Sequence, residues 1–329
     1  MRIQFKDKLA TYEQNYFTYD KPIPFKGDLL VYPATVKDYY LFYNLVSCFT
    51  IDKDEDPDGE GFALNELQYL FLLMKKDKTL NFRDKLLSLL GFVFHIDNGL
   101  YCDNEKCEHR GEVFSYKDIR SQVEKITIEL QRKYQGVENG DFLFQRERQQ
   151  KLYELQVCPH CHTVMRDVIE LEEEEGKSPI IYIKGVPINN REFIELKRIY
   201  CYQNLPDFND EYMDTDLKKE LEMASKMKSA NAEQPTLERQ ISCIVISSGL
   251  TYKEVEELTL RKFTSLLRVA DAKLNYLAYK IGEMSGLVTF KTPFPHWIYT
   301  KENARQSLLD NIMTFDQVQK KIGEGGVTE

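Results

Sequence analysis

Four cysteines in two pairs constrain this chain more than any other feature. Cys102 and Cys107 sit in YCDNEKCEH, and Cys158 and Cys161 sit in VCPHCH. One pair with a four-residue spacer and one with a two-residue spacer can aim four thiolates at a single tetrahedral ion. Thiolates are soft, charged donors suited to Zn2+, and the proline of CPHC stiffens its turn. A structural Zn2+ held by Cys102, Cys107, Cys158 and Cys161 is therefore expected. Such a closed four-sulfur shell leaves no coordination position for a substrate, which disfavours catalytic zinc. His109, His160 and His162 lie beside the cysteines and are alternative ligands. A chance pairing that holds no metal is the main competing reading of the same four sulfurs, followed by disulfides or another metal.

The rest of the composition sets broad limits. With 329 residues and 42% hydrophobic content, the chain can bury a real core in two or three modest domains. Its net charge of −9 repels phosphate backbones on average, so nucleic acid is not the expected partner. No apolar leader is expected at the N-terminus. The longest dense apolar run, Tyr69 to Met74, is too short to span a bilayer, so no membrane partner is expected. Cys48, Cys201 and Cys243 stand singly in apolar segments and read as buried free thiols. Together the seven cysteines suit a reducing, intracellular place of synthesis.

Local patterns predict a mainly α protein with small β elements, an α+β chain with helical N- and C-terminal regions around a zinc-ribbon-like middle. Residues 28–33 read as a short strand ended by Pro33. Thr35 is a candidate cap for a helix through residues 38–43, apolar nearly all round and so expected to be buried. The acidic segment 52–59 fails as a calcium loop, because Pro57 stands where glycine is needed and Ala63 where a bidentate glutamate is needed. Helices are expected near 64–76 and 82–94, the second capped by Asn81. Charged helices near 116–134 and 143–155 fall between the cysteine pairs, so the knuckles would bracket a helical insertion. Residues 180–188 suggest a hairpin, and Asn190 a cap for the helix that follows.

Beyond a charged helix near 214–228 and a linker at 228–235, the last third is strongly helical. Leu237, Ile241, Ile244 and Val245 share a face, Gly249 offers a stop, and Thr251 with Glu254 forms a capping box. Leu260, Phe263, Leu267, Ala270, Leu274, Leu277, Ile281 and Met284 then step by alternating threes and fours, a heptad seam on a helix over 260–285. Leu266, Val269 and Ala278 widen that stripe, which favours the inner helix of a bundle over a two-stranded zipper. The expected domains are 1–97, mixed and mostly helical; 98–178, the zinc-binding region with its insertion; and 179–329, a hairpin followed by the helical C-terminal domain.

Catalytic signatures are missing. There is no phosphate-cradling glycine loop, no GxSxG elbow and no HExxH pair. His95 ends an apolar run and reads as structural, and the cluster from Pro293 to Trp297 reads as a loop anchor. Residues 247–255 superficially resemble a helix-turn-helix with Arg261, Lys262 and Arg268 nearby, but Glu254, Glu256 and Glu257 crowd the same place.

Three segments carry a family resemblance. They are PFKG at 24–27 with LVYP at 30–33 and DYY at 38–40; LTYKEV at 250–255; and GEMSG at 282–286 running through Phe290-Lys291 to His296-Trp297. Together they resemble tail and baseplate morphogenesis proteins of tailed bacteriophages. The resemblance covers the two ends of the chain and leaves the cysteine region aside. It implies a non-enzymatic virion component or assembly chaperone, made in the host cytoplasm and bound to other tail proteins. Self-association through helix 260–285 is a separate expectation, from the heptad seam. The alternative is a zinc-ribbon or helix-turn-helix adaptor that binds nucleic acid or serves transcription. An enzyme with a site unreadable in the sequence is the third class.

Overall fold

Helix-forming stretches with one apolar face dominate the chain, and their faces meet in the computed structural model. The structure describes residues 2–51, 53, 56, 58–137, 139–174, 177–206, 208, 235–285 and 296–299. It groups the chain into two compact units: Met1–Ala34 with Asp38–Cys201, and Thr35–Lys37 with Tyr202–Glu329.

In the first unit, helix α1 (Arg2–Asn15) precedes a small hairpin of β1 (Ile23–Lys26) and β2 (Leu29–Val31), paired Ile23 to Val31. Next come α2 (Tyr39–Thr50), α3 (Glu66–Lys76) and α4 (Asn81–Phe94). Phe42, Leu45, Val46 and Phe49 of α2 are buried, as are Leu86, Leu89, Leu90 and Val93 of α4. Helix α7 (Asn190–Asn204) completes this core. Its Phe193 and Tyr200 rings lie 5.5 and 5.9 Å from Phe49 and cross it edge-on, the favoured geometry for aromatic pairs.

The cysteine region builds a second layer in this unit. Strands β3 (Gly99–Tyr101), β4 (Val113–Ser115) and β5 (Arg166–Asp167) form an antiparallel sheet in the order β4-β3-β5. Strands β6 (Ile169–Glu172), β7 (Ile180–Ile183) and β8 (Val186–Ile188) form another in chain order. Val168 stitches the two sheets: its N–H donates to Gly99 O at 2.8 Å, and its carbonyl accepts from Lys184 N–H at 2.8 Å. Between the cysteine pairs stand α5 (Tyr116–Tyr134) and α6 (Gly140–Glu154), packed as a helical hairpin around buried Leu130. Lys133 pairs with Glu147 across that hairpin at 2.7 Å. The mainly α architecture with small antiparallel sheets is thus observed, as is the helical insertion between the knuckles.

The second unit contains α8 (Leu237–Ser248), α9 (Tyr252–Glu256) and α10 (Leu260–Met284). Gly249 ends α8 in the left-handed region, and Thr251 and Glu254 form the reciprocal capping box. Helix α10 packs on α8 along the first half of its seam, where Leu260, Phe263 and Ala270 are buried. Exposure rises along the second half: Leu274 is 60% exposed, Ile281 69% and Met284 85%.

Several local expectations are corrected. The positions 97 and 178 both fall within the first unit, and β6 and β7 pair across residue 178 in one sheet. Helix α2 is not buried all round; Tyr40, Leu41 and Tyr43 are exposed. A short 3-10 turn at Val36–Asp38 leads into that helix, and the Thr35 backbone bridges Thr259 instead of capping it. Asn81 is the first residue of α4, not its cap. The Asp77 carboxylate accepts the Phe82 N–H at 2.8 Å in that role. Asn189, not Asn190, accepts the Arg191 and Glu192 amides at the start of α7. The Asn190 side chain reaches across to accept the Leu67 N–H at the start of α3. Cys48 and Cys201 are buried free thiols, whereas Cys243 is only half-buried. His95 closes α4 in the left-handed region and stacks on Tyr32 at 4.1 Å, a structural role. The expected helix at 214–228, most of the 228–235 linker, part of the acidic 52–59 segment and residues 286–295 lie outside the described residues.

Candidate metal centre

Two backbone turns carry the four sulfurs. In the first, the Asn104 side chain accepts the Lys106 N–H at 3.0 Å, and its carbonyl accepts the Cys107 N–H at 3.0 Å. The turn closes where Gly111 N–H donates to Cys102 O at 2.8 Å. The second turn is the tip of a narrow hairpin: Val157 bridges Val164, Cys158 N–H donates to Thr163 O, and His162 N–H donates to Cys158 O, both at 2.9 Å. These turns curl the backbone around the point where the thiols converge, as a knuckle must.

Cross-ties hold the two turns together although 50 residues separate Cys107 from Cys158. Arg166 Nε lies 3.0 Å from Asp103 Oδ2, and Asn104 Nδ2 donates to Thr163 Oγ1 at 2.8 Å. Register adds to this, since Tyr101 of β3, next to Cys102, pairs with Arg166 of β5 just past the second knuckle. The sheet therefore sets the height of one knuckle against the other.

The resulting quartet is compact. All four Sγ atoms lie within 4.8 Å of one another, with Cys102–Cys161 at 3.5 Å and Cys107–Cys158 at 3.9 Å. A tetrahedral ion with metal–sulfur bonds of about 2.3 Å spaces its sulfurs about 3.8 Å apart. A disulfide needs about 2.05 Å, and all seven cysteines are free thiols. Cys102, Cys107 and Cys158 are buried beside Met165, with Leu100 and Phe114 packed against the cluster. Only Cys161 keeps partial solvent contact.

Electrostatics sharpen what this pocket can hold. Burial pushes the Cys102 thiol up to about 12 and raises Cys107 as well. Cys161 goes the other way, to about 6, because the Thr163 hydroxyl and then the Thr163 amide stabilise its thiolate. Four thiolates brought together in a buried site need a cation to offset their charge and desolvation. These residues therefore fit a tetrahedral, thiolate-bound metal ion.

None of the three neighbouring histidines joins the quartet. His162 is exposed and left-handed at the hairpin tip. His109 and His160 stack on each other with ring centroids 3.5 Å apart, outside the sulfur shell. The basic residues expected to meet phosphates are partly occupied: Arg261 Nη1 donates to Tyr202 O at 3.1 Å. The helix after the 247–251 turn, α9, has five residues, and Arg261, Lys262 and Arg268 lie beyond it on α10. His296 of the expected loop anchor packs 4.8 Å from the Tyr276 ring of α10. Among the described residues, no helix is long and apolar enough to cross a membrane. No family model, no curated protein and no solved structure matches the chain.

Proposed function

We propose that this is a non-enzymatic interaction protein, a tail or baseplate component or assembly factor of a tailed bacteriophage, stabilised by a structural Zn2+ at Cys102, Cys107, Cys158 and Cys161. The buried, all-thiolate quartet carries the non-catalytic part of this reading. Four protein sulfurs would fill the shell of a tetrahedral ion and leave no position for water or substrate. Zinc suits such a shell because it is redox-silent and imposes no geometry of its own. Its work is to join two segments of the chain that flank a helical arm.

The assignment to a phage tail rests on the resemblance at the two ends of the chain. An open apolar stripe on the second half of α10 supports the interaction role, since Leu274, Leu277, Ile281 and Met284 continue the heptad beyond the buried part. Other tail proteins or a second copy of the chain are the partners that such a stripe suits. The protein would act in the host cytoplasm during assembly and could remain in the virion.

Mass spectrometry of purified virions and pull-down from infected cells test this directly. Recovery of tail or baseplate proteins is the expected result. A monomer that captures no virion component overturns it. The nucleic-acid reading has a separate test, retention on heparin that falls with salt and is lost in Arg261→Ala and Lys262→Ala.

A further inference from the structure

We propose that His109, Glu112 and His160 form a second metal site, exposed, for a divalent first-row transition ion that favours imidazole and carboxylate ligands. Each residue offers one ligand atom, and the three atoms lie within 4.8 Å of one another. His109 Nδ1 is 3.0 Å from Glu112 Oε2, and His160 Nε2 is 3.9 Å from the same oxygen. The second distance is too long for a hydrogen bond. Two ligands that share one ion stand about 3.3–3.4 Å apart for tetrahedral bonds of 2.0–2.1 Å, so a shift of about half an ångström by these exposed side chains brings the pair into range. The imidazoles stack at 3.5 Å with their planes 14° apart, and one nitrogen of each lies within 4 Å of the same Glu112 oxygen. Rotation of the exposed rings out of this stack would aim both in-plane nitrogen lone pairs, with the carboxylate, at one ion.

Chain connectivity makes this arrangement more than a chance meeting of surface side chains. His109 and Glu112 belong to one turn, closed where Glu112 N–H donates to His109 O at 3.1 Å. His160 sits at the tip of the other turn, between Cys158 and Cys161. The two turns that aim the thiolates thus also bring the imidazoles face to face. Preorganisation of the second site rests on the quartet reading, because the ion among the sulfurs would hold both turns in place. The chemistry differs: two nitrogens and one oxygen suit Zn2+, Ni2+, Co2+ or Cu2+, and three protein ligands leave at least one position open. An ion there binds more weakly than one in the quartet, exchanges with solvent, and can take a further ligand from outside the chain.

Titration of the full, zinc-loaded chain with Ni2+ tests the proposal, read by calorimetry and by two-bond proton–nitrogen correlation of the histidine rings. One Ni2+ per chain is expected, with perturbation at His109 Nδ1 and His160 Nε2. His109→Ala and His160→Ala should each remove that binding, while His162→Ala, in the same knuckle, should leave it intact. Zinc content before titration should be the same in all of these variants. Absence of Ni2+ binding to the wild type, or binding indifferent to both substitutions, would overturn the proposal. Failure of the quartet reading shows separately, as a purified wild-type chain without zinc and a Cys158→Ser variant of unchanged stability.

Discussion

Cys158 is the most buried of the four sulfur donors and lies at the base of the CPHC turn. Replacing it with serine removes a thiolate and leaves the other three facing one another. Cys158→Ser should lose bound metal and melt at a lower temperature than the wild type, and chelation of the wild type should reproduce that loss. Full stability after complete chelation would refute a structural role. Gly99 is a second sensitive residue. A Cβ there would lie 2.1 Å from Phe114 O, so β3 and β4 cannot pair as they do once it is added. Gly99→Ala should destabilise the first unit by about 1–3 kcal/mol in urea unfolding, as overpacking does. Asp77 gives a pH signature. The Thr79 hydroxyl and the Phe82 and Thr79 amides lower its pKa below the ordinary aspartate value. A lowered folded-state value contributes stability above the unfolded value, about 3.9, and that contribution is lost as pH falls through the folded value. Asp77→Ala should therefore melt below the wild type at neutral pH, and the gap should close in acid. An equal gap at both pH values would contradict this account of the cap.

Among elements, α2 carries the densest aromatic packing. Phe49 meets both Phe193 and Tyr200 and is buried. Phe49→Ala should cost about 3–5 kcal/mol in chemical denaturation. Helix α10 predicts a contrast along its own length. Phe263→Ala should destabilise, because the ring is buried against the unit's core, whereas Met284→Ala should leave stability unchanged. How far such elements are legible in the sequence depends on how local their signals are. Helices α5 and α10 follow from periodicity and caps within one stretch, and the structure finds them at 116–134 and 260–284. Strands β3 and β5 have three and two residues, and their pairing joins Leu100 to Asp167. No local pattern encodes a partner that far away. The same reason hid the caps: Asp77 stands outside the helix it closes, and Asn190 serves a helix more than a hundred residues earlier. Exposure of Tyr40 and Leu41 was illegible because hydropathy says which residues prefer burial, not whether an element has neighbours on every side.

At the scale of the whole molecule, the cysteine quartet was legible because thiolate spacing is local, while the His109–Glu112–His160 cluster was not. The latter depends on the α5–α6 hairpin returning the chain so that two turns meet. Both clusters follow from one geometric event, the meeting of the 102–112 and 158–163 segments across the β4-β3-β5 sheet. The metal would therefore act on the fold as a cross-link between distant segments, and the functional surfaces would lie on the elements it positions. Native mass spectrometry of the intact, freshly purified chain tests this most directly. The account predicts a mass of the polypeptide plus one zinc, with Cys102, Cys107, Cys158 and Cys161 protected from alkylation until a chelator is added. A chain without metal, whose four thiols alkylate freely while it stays folded, would contradict it.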